Sequence, residues 1–312
     1  MKIKAAIIGM GVGEKHFEAI DKYRGCSVKI ICEKNKKIIK KLKKIYPNKT
    51  ITSDESIIYK DKDINLVSIA SYDDCHYSQI VNSIKANKNI IVEKPMCLNE
   101  KELISINSLL KKNKKIKMIS NLVLRVNSLF NDIKKKVKNS KIVYIEGDYL
   151  WGRKHKLFDW RSKIKDYSLT LGAGIHMIDL IMWLTKSKPI SVYSIGSKTA
   201  TLGTKFKKES LIVMLFKFPK NIVVKITANG AAVYDHFHEL KVFCLDKTMV
   251  NSRLGSFYQD NKRFTKLNIP YPDKKNRKNL IRNFIDSLMK KKNKPIISIK
   301  EQMDLMSVCL AA

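Results

Sequence analysis

Three glycines near the start of the chain have a spacing that suits contact with a phosphate group. Gly9, Gly11 and Gly13 follow an apolar, β-branched run at residues 2–8 and precede apolar residues at helical spacing. In a strand, turn and helix of this kind, bare glycine backbone can approach a pyrophosphate, whose charge the helix N-terminus stabilises. The pattern predicts a dinucleotide-binding turn, with Gly9, Gly11, Val12 and Gly13 in contact with the ligand.

An acidic residue stands where such a turn requires one. Glu33 ends a second apolar strand at 28–32, and a carboxylate in this place pairs with ribose hydroxyls and repels a 2′-phosphate. NAD is therefore favoured over NADP. The glycine spacing is one residue shorter than the usual fingerprint, and lysines at 34, 36 and 37 offset the charge of Glu33. NADP is therefore left open.

Two further residue types could carry out proton and oxygen chemistry. Lys94 lies between Glu93 and Pro95 at the end of an apolar strand, and its ammonium can stabilise the alkoxide-like charge of a reacting oxygen. His176, with an ordinary pKa near neutrality, is the natural acid–base partner. Each residue also has an alternative interpretation. For Lys94 it is a surface lysine at the exit of a strand, in a chain rich in lysine. For His176 it is a core histidine whose hydrogen bonds are satisfied.

The elements that must position these residues alternate between strands and helices. Apolar strands are predicted near 2–8, 28–33, 66–70, 89–93 and 116–120, with helices near 14–23, 35–45, 76–87 and 99–112. This alternation predicts an α/β fold with a doubly wound parallel sheet, whose strand carboxyl ends share one edge. The glycine turn, Glu33, Ser71 and Lys94 should gather there.

Beyond residue 121 the pattern changes. Helices are predicted near 127–138, 174–185 and 276–291, and strands at 142–150, 190–197, 210–218, 222–229, 238–245 and 248–254. Successive strands without helices between them indicate a mostly antiparallel open sheet. We therefore predict an N-terminal Rossmann domain, residues 1–121, and a C-terminal α+β domain, residues 122–312, whose last helix packs back on the first domain.

Composition narrows the class of protein. The chain has 312 residues, 44% of them apolar, and 62 basic against 28 acidic residues give a net charge of +34. The lysines are spread along the whole chain, which favours a general compositional bias over the clustered footprint of a specific nucleic-acid binder. An anionic substrate stays compatible with this charge.

No pattern indicates a metal site, a disulfide framework or a membrane span. The six cysteines form no C-x-x-C pair, and His155, His236 and His238 have no ligand-like spacing with acids or cysteines. The chain enters a strand at once, and no apolar run approaches 18 residues. We expect no bound metal, no membrane partner and a cytoplasmic location.

Three segments, in order, give the chain a family resemblance. Val67–His76, Asn89–Pro95 and Gly172–Asp179 are similar to three motifs of the Gfo/Idh/MocA oxidoreductases, dinucleotide-dependent enzymes that act mostly on sugars, inositols and their derivatives. The resemblance covers nearly the whole chain. It implies a Rossmann domain followed by an α/β domain whose open sheet mediates oligomers, so a homodimer or homotetramer is expected.

The resemblance also implies residue roles. Lys94 and His176 are the implied catalytic pair. The implied cofactor contacts are Ser71, His76, Glu93, Lys94 and Pro95, with the Lys94–Pro95 bond frequently cis in the family, and His16 is implied to support the cofactor turn. The implied substrate contacts are Asn121, Arg125, Arg153, Trp160, Arg161 and Asp179.

One position departs from the family pattern. Four residues before His176 the family commonly has an aspartate, and here that position is Gly172. The second catalytic carboxylate is then absent, or Asp179, Asp166 or Tyr167 replaces it. If it is absent, His176 acts with Lys94 alone, or the chain binds without turnover.

Three functions follow from these observations. The first is an NAD(P)-dependent oxidoreductase that transfers a hydride between the nicotinamide and a hydroxyl or keto group of a sugar, sugar acid or nucleotide sugar. Arginines make an anionic substrate attractive, and surface glycan precursor synthesis is the setting that family analogy suggests. The second is a catalytically silent dinucleotide-binding sensor. The third, a nucleic-acid-binding protein, rests only on the charge.

Overall fold

The computed structural model describes residues 2–273, 275–290 and 293–312. The described residues form two compact units. The first combines Met1–Asn121 with Lys275–Met303, and the second combines Leu122–Lys274 with Asp304–Ala312. The C-terminal part of the predicted second domain, residues 275–303, therefore belongs to the first unit.

The first unit contains the predicted doubly wound parallel sheet, which is confirmed. The strand order is β3-β2-β1-β4-β5-β6. The strands are β1 (Ile3–Ile8), β2 (Cys26–Cys32), β3 (Thr50–Thr52), β4 (Leu66–Ile69), β5 (Asn89–Val92) and β6 (Met118–Ser120). The helices between them are α1 (Gly13–Asp21), α2 (Lys36–Ile45), α3 (Ser56–Lys60), α4 (His76–Lys85) and α5 (Glu100–Lys112).

The sequence pattern missed strand β3 and helix α3. β3 has three residues, none of them buried, so it carries no apolar run. It forms because Ile30 and Cys32 of β2 offer a free edge, on which Thr50 and Thr52 pair in parallel register. An edge strand of this kind is set by its neighbour rather than by its own sequence.

Two segments from the C-terminal part of the chain complete the first unit. Helix α8 (Asn276–Met289) lies against α1, and the Tyr23 hydroxyl donates to both carboxylate oxygens of Asp286 at 2.9 and 3.0 Å. Helix α9 spans Ile299–Ala311. Its fully buried Gln302 accepts from the backbone N–H of Ser120 at 2.6 Å and donates to the carbonyl of Met118 at 3.1 Å, which satisfies the edge of β6.

The second unit contains an eight-stranded sheet, and its mostly antiparallel character is confirmed. The order is β14-β13-β12-β11-β7-β10-β9-β8, with only the β7–β10 pair parallel. The strands are β7 (Ile142–Leu150), β8 (Ser191–Ser197), β9 (Leu211–Lys217), β10 (Val223–Asn229), β11 (Phe237–Cys244), β12 (Lys247–Ser252), β13 (Gly255–Asp260) and β14 (Phe264–Lys266). Strands β13 and β14 were not predicted, because they are short and largely polar.

Helices α6 (Ser128–Val137) and α7 (Ile175–Thr185) belong to the same unit. Nine of the eleven residues of α7 are buried, so it is apolar on all sides and lies against β7. Gly147 of β7 permits this approach, because a Cβ there would lie 2.9 Å from the Met177 methyl group. The packing fixes the helix that carries His176.

Within the described residues, no helix has both the length and the hydropathy needed to cross a bilayer. The expected cytoplasmic location stays a prediction.

Candidate functional site

The glycine turn joins β1 to α1, and each of its three positions suits glycine for a different reason. Gly9 has φ 84°, and a Cβ there would lie 2.6 Å from the carbonyl oxygen of Ala70. A Cβ on Gly13 would lie 3.2 Å from side-chain atoms of Ala70 and Ile7, so this glycine brings helix and sheet close together. Gly11 is exposed, and a Cβ there would meet nothing within 4 Å. Its backbone therefore faces open space.

The N-terminus of α1 is well suited to an anion. The residue that precedes the helix is Val12, which forms no side-chain cap, so the first N–H groups lack the usual side-chain acceptor. These groups and the bare backbone of Gly11 fit a pyrophosphate. The geometry is that of a dinucleotide-binding turn despite the shortened glycine spacing.

Glu33 holds this turn in place. Its Oε2 accepts from the backbone N–H of Met10, and its Oε1 accepts from that of Asn35, both at 2.9 Å. Asn35 in turn caps α2 by accepting from Lys37 and Ile38. The carboxylate thus links the glycine turn to α2, and its remaining lone pairs suit the predicted ribose contact.

Glu93 is the centre of a buried polar network. Its Oε1 accepts from Asn121 Nδ2 at 2.6 Å, from His16 Nε2 at 3.0 Å and from Arg277 Nε at 3.1 Å. His16 is fully buried, and its Nδ1 lies 2.7 Å from the hydroxyl of Ser68. Because an ionised carboxylate can only accept, His16 donates from Nε2, and in the neutral ring Nδ1 then accepts from Ser68. The network connects β4, β5, α1 and α8.

The same contacts set the charge of Glu93. Burial alone raises the pKa of this carboxyl group. The hydrogen bond from His16, the positive charge of Arg277 and the hydrogen bond from Asn121 outweigh burial and hold the pKa well below the usual range of a glutamate. Glu93 is therefore ionised at neutral pH and serves as a fixed negative charge beside Lys94.

The backbone after Lys94 is held by a second contact. The Lys94–Pro95 peptide bond is cis, as the family resemblance implied. His76 donates from Nδ1 to the carbonyl of Pro95 at 2.7 Å, and its Nε2 lies 3.2 Å from the carbonyl of Ser71. The fully buried His76 side chain thus joins two loops, and its predicted cofactor contact stays a prediction. Lys94 itself is partly exposed between two fixed neighbours.

Asn121, a predicted substrate contact, is bonded to Glu93 in the structure, and its contact with a substrate stays a prediction. Its side chain is 1% exposed, and its amide nitrogen is the shortest donor to Glu93. The structure therefore makes Asn121 a positioning residue for the strand that carries Lys94.

In the second unit, His176 lies in a cluster of aromatic rings. The ring of Tyr149 is stacked on it at a centroid distance of 5.9 Å and an angle of 6°, and His238 meets it edge to face at the same distance. The Tyr271 hydroxyl bonds to Nδ1 of His238, and His236 lies against both Tyr149 and His238. His176 is 8% exposed, so its ring is buried among these neighbours.

The structure explains why position 172 is a glycine. It belongs to a π-helical turn, Thr170–Gly174, that precedes α7. A Cβ on Gly172 would lie 2.1 Å from the hydroxyl oxygen of Tyr167 and 2.6 Å from its ring carbon Cζ. The tyrosine therefore fills the space that any side chain at position 172 would need.

Arg125 and Asp179, two predicted substrate contacts, are paired with each other in the structure, and their contact with a substrate stays a prediction. They form a bidentate ion pair, with Nε donating to Oδ2 at 3.1 Å and Nη2 donating to Oδ1 at 2.7 Å, and are only 3% and 1% exposed. The guanidinium charge is balanced within the unit and is out of reach of a dissolved anion. Asp179, Asp166 and Tyr167 were the predicted replacements for the missing carboxylate. Asp179 is paired with Arg125, and Asp166 is exposed on a loop, whereas Tyr167 lies beside Gly172.

The loop after β7, residues 151–161, is stabilised by contacts between the Arg161 guanidinium and two tryptophan rings. The Arg161 guanidinium lies 4.1 Å from the ring centre of Trp160 and 5.1 Å from that of Trp151. Gly152 begins a cavity of about 590 Å³ lined by Lys154, His155 and residues 231–235. Arg153 and Trp160 are half-buried in this loop, so the structure is compatible with substrate contact here but assigns Arg161 a packing role as well.

Among the described residues, no group of three or more His, Cys, Asp or Glu side chains could hold an ion.

Sequence reasoning missed several members of these networks. Arg277 lies 184 residues from Glu93, and Tyr149, His238 and Tyr271 come from three separate segments. No spacing pattern connects residues so far apart. The only available signal was the unusual concentration of histidines at 236 and 238.

A parallel sheet, an open glycine turn and an acid at the end of β2 define a dinucleotide-binding protein of the Rossmann type. Two family descriptions match: "Oxidoreductase family, NAD-binding Rossmann fold" over residues 3–121, and "GFO/IDH/MocA C-terminal domain" over residues 138–250. The chain belongs to the Gfo/Idh/MocA family of NAD-binding oxidoreductases.

Two relatives illustrate the sequence similarity. The uncharacterized oxidoreductase YhhX of Escherichia coli is 27% identical over 159 residues, which are 49% of this chain and 44% of that protein. The matched part thus spans less than half of YhhX. Inositol 2-dehydrogenase of Salmonella typhimurium is 24% identical over 243 residues, 75% of this chain and 70% of the relative.

Solved structures share the fold. Scyllo-inositol dehydrogenase from Lactobacillus casei, with bound NAD(H) and scyllo-inositol, has a TM-score of 0.85 at 17% identity, covering 100% of this chain and 96% of that one. UDP-N-acetylglucosamine 3-dehydrogenase GnnA from Acidithiobacillus ferrooxidans has a TM-score of 0.81 at 15% identity, covering 99% and 96%.

Removing the charge of Glu93 should destabilise the first unit in a pH-dependent way. Glu93→Gln should lower the free energy of unfolding by about 2 kcal/mol at pH 7, because a buried ion pair and hydrogen bonds are lost. The native pKa is depressed, so the stabilisation is complete above the ordinary value of 4.5 and declines as pH falls below it. Urea unfolding of both proteins at several pH values measures this difference, with Glu14→Gln as the exposed control. A difference that does not change with pH would contradict the ionised network.

Breaking the Arg125–Asp179 pair on one side should cost more than replacing both partners. Asp179→Asn should reduce the free energy of unfolding by about 3–5 kcal/mol, because it leaves a buried guanidinium without its counter-charge. The double substitution Arg125→Met with Asp179→Leu should cost less, since neither charge remains. Chemical denaturation compares the two variants. Wild-type stability in Asp179→Asn would instead restore the predicted substrate role.

Proposed function

We propose that this member of the family is an NAD-dependent dehydrogenase or reductase that acts on a CH–OH group of a sugar-type polyol. The observation that carries the proposal is the position of Lys94. It is partly exposed, and it is held between Glu93, fixed by three donors, and Pro95, fixed by His76. A lysine in a surface loop would not require two buried networks to hold its backbone.

The residues of the first unit fit the cofactor. The open backbone at Gly11 and the uncapped start of α1 would bind the pyrophosphate, and Glu33 would bind a ribose. When NAD is bound, its nicotinamide supplies the acceptor or donor of a hydride. The choice between NAD and NADP depends on whether Glu33 or the nearby lysines dominate.

Lys94 would act on the oxygen of the substrate. Its ammonium can donate a hydrogen bond to that oxygen, and it stabilises the negative charge that develops there as the C–H bond breaks. In the opposite direction, the same hydrogen bond polarises a carbonyl for reduction.

His176 would exchange the proton of the same oxygen. Neutral imidazole takes the hydroxyl proton during oxidation, and imidazolium returns it during reduction. The stacked ring of Tyr149 and the edge of His238 restrict the orientation of the imidazole. A fixed orientation matters because proton transfer requires hydrogen-bond geometry.

Tyr167 takes the place of the side chain that is missing at position 172. Its hydroxyl oxygen occupies the position that a Cβ of residue 172 would need, at the turn that begins the helix of His176. A phenol can donate and accept a hydrogen bond, as a carboxylic acid can. We therefore favour Tyr167 over Asp179 and Asp166 as the substitute, and an active enzyme over a silent sensor.

A neutral polyhydroxyl ring is the substrate class we favour. Inositols are the substrates printed in the names of several relatives and neighbours. The case for an anionic sugar is weaker than the sequence indicated, because Arg125 is paired and Arg161 is stacked on tryptophans. A nucleotide sugar remains the second candidate, supported by Arg153 and by the name of one neighbour.

We also propose that the protein is a homodimer or homotetramer. The edge strand β8 and its neighbour β9 expose Tyr193, Ile195 and Leu215, which gives one sheet face an apolar surface.

Lys94→Met should abolish turnover without abolishing cofactor binding. We expect kcat/KM for the best inositol or sugar substrate to fall by about 10²–10⁴-fold, since one charged donor to the reacting oxygen is lost. The dissociation constant of NADH, measured by fluorescence, should change by less than about threefold. Lys101→Met, on the exposed surface of α5, is the matched control. Loss of NADH binding to the same extent as activity would show that Lys94 only binds cofactor, and a wild-type protein that binds NADH but oxidises no polyol would favour the sensor.

Tyr167 can be tested with and without a side chain at position 172. Tyr167→Phe should lower kcat by about tenfold and shift the pH profile, because only the hydroxyl is removed. Tyr167→Ala should be worse, and combining it with Gly172→Asp should recover part of the activity by restoring an acid in the vacated space. Gly172→Asp alone should fold poorly, because its side chain collides with the tyrosine. An unchanged pH profile in Tyr167→Phe would limit Tyr167 to packing.

A further inference from the structure

The second unit contains a cavity with a strongly basic rim that the proposed reaction does not use. The cavity measures about 840 Å³ and lies where α6 and α7 end, where β7 begins and where β9 turns into β10. Its rim contains six lysines: 134, 135, 138, 141, 186 and 220. No aspartate or glutamate is among the described residues that line it. The cavity thus combines positive charge from several segments.

Most of these lysines have no counter-charge within the described part of the chain. Five of the six, namely Lys135, Lys138, Lys141, Lys186 and Lys220, form no ion pair with a described carboxylate. Two acids in contact with the same segments are already engaged: Asp132, on α6, pairs with Lys136 at 3.7 Å, and Asp246, which accepts from Ser140, pairs with Lys247 at 3.1 Å. Lysines near helix C-termini are favoured by the helix dipole, which accounts for those on α6 and α7. It does not account for Lys141 and Lys220, which lie outside the two helices.

Two of the lysines occupy backbone conformations that do not favour lysine. Lys186, after the last residue of α7, has φ 53° and ψ 32°, and Lys220, in the turn between β9 and β10, has φ 61° and ψ 24°. Glycine or asparagine normally fills such positions. The other described non-glycine residues with positive φ are both asparagines, Asn87 and Asn221. Only on the rim of this cavity, within the described chain, is a less suitable residue type found at positive φ.

The floor of the cavity is apolar. Val137, Leu184 and Ile222 are buried there, and Ile142 is half-buried beside them. Lys134 lies over the ring of Trp183, with its ammonium 3.6 Å from the ring centre. An inorganic anion would leave this floor uncovered, whereas a flat organic group could cover it.

We propose that this cavity binds an organic polyphosphate, such as a nucleoside triphosphate, with the phosphates at the lysine rim and the base against the apolar floor. Ammonium groups bind phosphate oxygens through charge-assisted hydrogen bonds. The partial negative charges at the ends of α6 and α7 oppose a single anion, so several phosphates are needed to engage the lysines outside the helices. The cavity volume lies in the range of small-molecule sites. The site does not involve the glycine turn and is independent of the proposed reaction.

Calorimetric titration with ATP tests the proposal. The titration is done at about 0.15 M ionic strength, with NADH at saturation so that the dinucleotide turn is occupied. The test variant combines Lys138→Gln, Lys141→Gln, Lys186→Gln and Lys220→Gln. The control combines Lys111→Gln, Lys112→Gln, Lys114→Gln and Lys115→Gln, which removes four exposed lysines at another helix C-terminus, that of α5.

We expect the test variant to bind ATP about tenfold or more weakly than wild type, and the control to stay within about twofold. ATP should also bind more tightly than inorganic tripolyphosphate, because only ATP can cover the floor. Equal losses in both variants would show that the overall charge attracts the nucleotide and would overturn the proposal. Displacement of NADH by ATP, or no ATP binding at millimolar concentration, would overturn it as well.

Single substitutions give a second readout that does not depend on the multiple variant. Lys186→Gly and Lys220→Gly should each weaken ATP binding while keeping or raising the melting temperature, because glycine relieves the positive φ. Unchanged ATP affinity in both variants would contradict a role for these lysines in binding.

Discussion

The carboxylate of Glu93 is the interaction on which the first unit depends. One buried oxygen accepts from a histidine of α1, an asparagine that follows β6 and an arginine of α8. A buried carboxylate is costly unless it is paired and hydrogen-bonded, so these three donors must be present together. Helix α8 is thus joined to the parallel sheet by the ion pair of Arg277 with Glu93 as well as by apolar packing. The same carboxylate fixes the backbone on one side of Lys94, which connects the stability of the fold to the proposed catalytic group.

In the second unit, the titratable groups of the buried helix α7 are held by partners from the same unit. Helix α7 is buried on nearly all sides, so its polar residues must find partners inside the unit. Asp179 is paired with Arg125, and His176 lies against Tyr149 and His238. The π-helical turn before the helix leaves room for the Tyr167 hydroxyl beside Gly172. π-helical turns are often found at functional sites, which agrees with a chemical role for this end of the helix.

The positive charge of the chain is not uniform in its structural context. Several lysines pair with carboxylates, as Lys29 does with Asp61 and Lys225 with Glu146, and such lysines contribute to local packing. The lysines around the cavity at the ends of α6 and α7 lie where no acid lines the surface. Compositional bias accounts for the number of lysines, but it does not account for lysines at positive φ. The lysines around the cavity therefore form a candidate binding surface, whereas the paired lysines do not.

The sequence by itself determined the elements whose signals are local. The parallel sheet, the glycine turn, Glu33 and the Lys94–Pro95 segment are each encoded within a few neighbouring residues, because apolar periodicity and turn chemistry act over short distances. The antiparallel sheet was predicted for the same reason. Edge strands β3 and β14, and β13 next to β14, were not predicted, since their neighbours stabilise them. Only the tertiary structure decided which polar residues are partners. Arg277 reaches Glu93 and Arg125 reaches Asp179 across 184 and 54 residues, and no sequence spacing reports contacts that depend on how buried charges find compensation.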